Sequence, residues 1–94
     1  MVFTVSSQES PDQVAAAHPE AAFYDLGEYI EHKIGMAIPD IVSDSPDRFR
    51  VIEEEALRDL VVMSEITGRD CIVRLLPGTL SNPECARLLN LRKD

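Results

Sequence analysis

Asp25, Glu28 and His32 follow one another at steps of three and four, and His18 joins their face if a helix runs unbroken through this stretch. Two carboxylates and an imidazole at those steps could hold a divalent metal, as inward-facing side chains do in helical bundles. Phe23, Leu26 and Ile30 take the opposite face, however, so the polar groups are expected in water and no metal is expected. A second candidate is the acidic run Glu53-Glu54-Glu55 with Asp59 and Glu65. Successive helical residues diverge by about 100° and cannot converge on one substrate, so the run reads as surface charge, with Glu54 paired to Arg58 at i,i+4.

Nucleophilic chemistry would have to come from Cys71 or Cys85 with His18 or His32. No Gly-x-Ser-x-Gly elbow, phosphate-cradling glycine loop or His-Glu-x-x-His helix occurs, and the 4 glycines are scattered. The 2 cysteines have neither the short spacing of a zinc or redox motif nor a histidine cluster beside them, and buried reduced thiols are expected. These observations predict no catalytic residue and no cofactor.

The chain has 94 residues, enough for one small domain. Its 17 acids and 9 bases give a formal charge of −8, which opposes binding to phosphate backbones. Residues 1–68 hold 14 acids and 4 bases (net −10), and 69–94 hold 3 acids and 5 bases (net +2). An acidic body and a mildly basic end follow. No stretch approaches the roughly 18 apolar residues of a bilayer span, and Met1–Ser10 lacks the basic start of a secretory signal. Cytoplasmic residence without membrane contact is the expectation.

Four helix starts are written in one device: Ser10-Pro11-Asp12, His18-Pro19-Glu20, Ser45-Pro46-Asp47 and Asn82-Pro83-Glu84. Proline in the first turn loses no hydrogen bond, the residue before it caps free amides, and the acid after it faces the positive end of the dipole. Phe23, Leu26, Ile30, Ile34 and Ala37 then form one apolar stripe over Pro19–Ile38. Phe49, Ile52, Ala56, Leu60 and Met63 form another over Pro46–Thr67, closed by Gly68. The fold expected is mostly α: an antiparallel hairpin of these two helices with short C-terminal helices. Residues 1–9 are read as a flexible arm and 10–94 as a single helical domain. The alternative is α+β, with short strands near 2–5, 48–52 and 71–76, where β-prone residues gather.

Val51, Val61, Val62, Ile66 and Leu80 lie off the main stripes, more apolar surface than one intramolecular neighbour covers. They are the interface candidates for a homodimer. The function expected is a non-enzymatic, acidic helical interaction or regulatory module that self-associates or takes a basic protein partner. A small DNA-associated regulator using Arg69, Arg74, Arg87, Arg92 and Lys93 is the alternative; five bases over that stretch are fewer than nucleic-acid modules cluster.

Overall fold

The computed structural model describes residues 2–6, 10 and 12–90. Its centre is a strand, β3 (Cys71–Arg74), whose Cys71, Ile72 and Val73 are buried. A strand closed off on both faces needs partners on both edges to satisfy its amides and carbonyls. β1 (Val2–Val5) supplies one, in parallel, with Val2 opposite Cys71 and Val5 opposite Arg74. β2 (Ala22–Asp25) supplies the other, also in parallel, with Ala22 opposite Cys71 and Asp25 opposite Arg74. The sheet order is β1-β3-β2, so the strand that comes last in the chain is inserted between the first two.

This parallel α/β arrangement overturns the expected mostly α hairpin. The segment 1–9, read as an arm, contributes β1, while 7–9 lie outside the described residues. Of the strand positions weighed in the alternative, 48–52 falls inside a helix, and 2–5 and 71–74 pair in parallel through crossovers. Parallel strands are joined by long crossovers, usually helical; α1 (Asp12–Ala17) lies in the crossover from β1 to β2, the two strands that flank β3.

The long helix expected over Pro19–Ile38 is three elements. Ala22–Asp25 is strand, α2 spans Leu26–Ile34, and α3 spans Ile38–Asp44. Asp25 ends the strand and caps α2, accepting a hydrogen bond from the Glu28 amide at 3.1 Å. Gly35, at φ 79, ends α2 in the left-handed conformation. Ala37 offers α3 no side-chain cap, and Glu31 replaces it by accepting from the Ile38 amide at 2.7 Å. His18-Pro19 starts no helix; the His18 ring stacks on Phe3 of β1 at 3.9 Å between centroids.

α4 runs over Pro46–Thr67 with Ser45 as its cap, accepting from the Arg48 amide at 3.2 Å, and with Gly68 at φ 66 as its stop. The chain then turns into β3, leaves it through Leu75–Gly78 and a 3-10 turn at Thr79–Ser81, and enters α5 (Pro83–Asn90). Leu26, Ile30, Ala56, Leu57, Leu60 and Val73 form the centre of the core with Cys85 of α5. Val61 is 1% exposed, which removes it from the interface candidates. Among the described residues no helix is long and apolar enough to cross a membrane.

Candidate functional site

In an open parallel sheet, ligands collect outside the carboxyl ends of the strands, where the connections diverge. Here those ends are Val5, Asp25 and Arg74, side by side in register. Leu75 continues the ladder by donating its amide to the Val5 carbonyl at 2.8 Å, after which the chain swings away toward α5. α4 enters β3 through the short turn at Gly68, so it runs back along the strand and carries its first turns to this same edge.

A cleft of about 560 Å³ opens between the start of α4 and the connection from β3 to α5. Ile38, Phe49 and Leu76 give it apolar lining, Pro77, Gly78 and Pro83 line it from the connection and the start of α5, and Arg50, Glu53, Ser81 and Asn82 supply its polar groups. Glu53 is the unusual member, a carboxylate only 4% exposed. Buried carboxylates require partners, and it has two. The Thr79 hydroxyl donates to Oε2 at 3.2 Å and the Asn82 amide nitrogen donates to Oε1 at 3.4 Å. Thr79 in turn accepts from the Leu76 amide at 3.0 Å, and Asn82 Oδ1 caps α5 by accepting from the Glu84 amide at 3.1 Å. The acid is thus locked to the opposite wall.

Arg50 lies one turn before Glu53 and is largely exposed, with Nε 3.7 Å from Glu54. The cleft is therefore lined by a solvated guanidinium and by a fixed, buried carboxylate. A small molecule with an anionic group and hydroxyl donors matches that pair: the cation takes the anion and the carboxylate accepts hydroxyl hydrogens. Behind Glu53 sits Cys85, whose thiol is pushed up to about 12 by burial and by the acids Glu53, Glu54 and Glu84. It stays protonated at neutral pH and is no nucleophile.

Other charged groups serve structure. Asp59 accepts from the Tyr29 hydroxyl at 3.2 Å and from Lys33 at 2.5 Å, joining α2 to α4. Burial, followed by the charge of Asp59, raises the Tyr29 phenol, while the hydrogen bond to Asp59 raises Lys33. Glu84 is lowered by its hydrogen bond to Arg87 and also faces Arg58 at 3.7 Å. The expected Glu54 to Arg58 pair is thereby replaced: Glu54 turns to Arg50, and Arg58 to Glu84.

The other residues singled out in sequence do not gather. Asp25 caps α2, His32 is exposed, and no group of three or more His, Cys, Asp or Glu is placed to hold a metal among the described residues. Arg69 and Arg74 flank β3 at opposite ends, and Arg69 donates to the Glu20 carbonyl at 3.1 Å. Arg87 is paired with Glu84, and Arg92 and Lys93 lie outside the described residues. Val51, Val62, Ile66 and Leu80 are exposed.

Sequence reasoning misses Arg50, Glu53, Thr79 and Asn82 as site residues. One signal for them exists: Phe49, Glu53, Ala56 and Leu60 follow at steps of four, three and four, which puts the first glutamate of the acidic run inside the buried stripe.

The crystal structure of shikimate kinase from Aquifex aeolicus superposes on 97% of this chain and 54% of its own, with a TM-score of 0.73 and 25% identity. Shikimate kinases from two strains of Thermus thermophilus are each 41% identical over 69 residues, which is 71% of this chain and 34% of theirs. The chain thus spans about a third of the length of these curated relatives. Matches to kinases on a P-loop α/β fold overturn the expected non-enzymatic interaction or regulatory module, and with it the DNA-associated alternative. With the shikimate kinase family profile matching residues 13–93, nearly the whole of this chain, the chain belongs to the shikimate kinase family.

Proposed function

We propose that the protein binds shikimate as the acceptor of a kinase reaction, and that the cleft between α4 and the connection from β3 to α5 is the acceptor site. The observation carrying this reading is the pair Arg50 and Glu53, a cation and a buried carboxylate one turn apart on the wall of one cleft. Shikimate is a cyclic carboxylate bearing three hydroxyls. Its carboxylate suits the Arg50 guanidinium, its hydroxyls suit Glu53, and its ring suits the wall of Ile38, Phe49 and Leu76. In phosphoryl transfer an acceptor hydroxyl oxygen bonds to the γ-phosphorus, the bond from that phosphorus to the nucleotide breaks, and the hydroxyl proton is released. Catalysis of such a step is almost entirely positioning and charge stabilisation. Fixing the acid is the part these residues perform.

The nucleotide side is different. A P-loop cradles phosphates with glycine amides and a lysine between a strand and the next helix. The connection from β1 to α1 reads Ser6-Ser7-Gln8-Glu9-Ser10-Pro11, without glycine or lysine. These residues do not fit a phosphate cradle, and no step through the nucleotide is assigned to them.

Calorimetric titration with shikimate tests the reading. One saturable site is expected, with a dissociation constant on the order of 1 μM to 1 mM, the usual range for enzyme substrates. Absence of saturable binding up to about ten times the top of that range overturns it. The reading includes cytoplasmic residence, supported by two buried cysteines that are free thiols.

Self-association is a separate proposal, supported by Val51, Val62 and Ile66, which project along one side of α4, and by Leu80; all are exposed. Sedimentation equilibrium should give the mass of two chains at low salt and at about 0.5 M, where exposed charges are screened. The mass of one chain under both conditions contradicts it.

A further inference from the structure

Resting on the acceptor-site reading, we propose that Thr79 and Asn82 are positioning residues, which orient the Glu53 carboxylate so that its unused lone pairs meet the hydroxyls of shikimate. Two features of the network support this. The Thr79 hydroxyl has a single proton. The Leu76 amide donates to that oxygen at 3.0 Å, leaving the proton for Glu53 Oε2 at 3.2 Å. Asn82 has its amide orientation set by α5. Its Oδ1 accepts from the Glu84 amide at 3.1 Å, so the NH₂ group faces α4, where it meets Glu53 Oε1 at 3.4 Å and the Arg50 carbonyl at 3.5 Å.

Each carboxylate oxygen therefore spends one acceptor site on the protein and keeps another for a ligand. The terminal torsion of a glutamate is broad and poorly fixed when the group is free; a partner on each oxygen removes that freedom before the ligand arrives. Asn82 also holds the backbone of Arg50, so one side chain sets the placement of both the acid and the base that recognise the ligand. Thr79 is 0% exposed and cannot itself reach the ligand, so it acts through Glu53.

The test is calorimetric titration of shikimate into the parent protein, Thr79→Ser, Thr79→Val and Asn82→Asp, with a thermal melt of each to establish that it is folded at the titration temperature. Thr79→Ser keeps the hydroxyl and should bind within about threefold of the parent. Thr79→Val should bind about tenfold or more weakly, the scale of one hydrogen bond to a charged group. Asn82→Asp retains the α5 cap and replaces the donor with a negative acceptor, and should weaken binding by at least as much. If Thr79→Val is unfolded, Asn82→Asp decides. Folded valine and aspartate variants that bind as tightly as the parent overturn the positioning role while leaving the acceptor site standing. A parent that binds no shikimate overturns both.

Discussion

Arg50 and Glu53, three residues apart on α4, line the same cleft in opposite states: the guanidinium is largely exposed and the carboxylate is 4% exposed. Their difference follows from the wall they face. Glu53 points at the Thr79 and Asn82 side chains, which replace its water, whereas the exposed Arg50 guanidinium faces Glu54 at 3.7 Å.

Arg50→Ala should therefore separate binding from stability. An exposed pair with Glu54 contributes about 0.2–0.5 kcal/mol, so urea melts should shift little. Shikimate affinity should drop at least tenfold, the scale of a lost charge-assisted contact. Unchanged affinity in calorimetry would show that the guanidinium does not hold the acid.

Leu60 of α4 is 0% exposed, in one core cluster with Leu26 and Ile30 of α2 and Val73 of β3. Leu60→Ala should cost about 2–5 kcal/mol in urea denaturation, the transfer term plus the cavity left behind. A loss below about half a kcal/mol, the scale of a surface substitution, would mean that this stripe is not the core.

Leu60 is readable from sequence because its neighbours repeat at helical spacing, and Ser45-Pro46 and Gly68 mark both ends of α4. β2 is hidden for a specific reason. Phe23, Leu26 and Ile30 are spaced as a helix would space them, yet Phe23 stands in a strand at 47% exposure, and the chain turns helical only after Asp25. What makes Ala22–Asp25 a strand is its pairing with Cys71–Arg74, nearly fifty residues away, which no local period reports. Glu53 is hidden inside a run of three identical acids, and Asn82 is legible only as a helix cap. Its contact with Glu53 depends on how α5 returns to α4.

Gly68 ends α4 at φ 66, and an added Cβ would meet nothing within 4 Å. Any cost of Gly68→Ala is therefore backbone strain alone, about 1 kcal/mol in urea melts, and Gly68→Asn should cost less because asparagine tolerates this conformation. Equal stability for all three would show that the stop does not need a left-handed residue.

Cys85 should resist alkylation by iodoacetamide in the native protein and react freely in urea. Its folded value near 12 lies above the ordinary 9.0, so between those limits the unfolded chain releases a proton that the folded chain keeps. Stability must then fall as pH rises, and melts at about pH 8 and pH 10 should show a smaller fall in Cys85→Ala. Native labelling as fast as in urea would contradict the burial.

The most direct measurement of the acceptor site is a shikimate titration followed by amide nuclear magnetic resonance. Saturable shifts should concentrate at Arg50, Glu53, Gly78 and Asn82 around the cleft, and should be lost in Arg50→Ala. Shifts that gather instead at the opposite end of the sheet, around Ala17–Ala21 and Gly68–Asp70, or no saturable shift anywhere, would contradict the account.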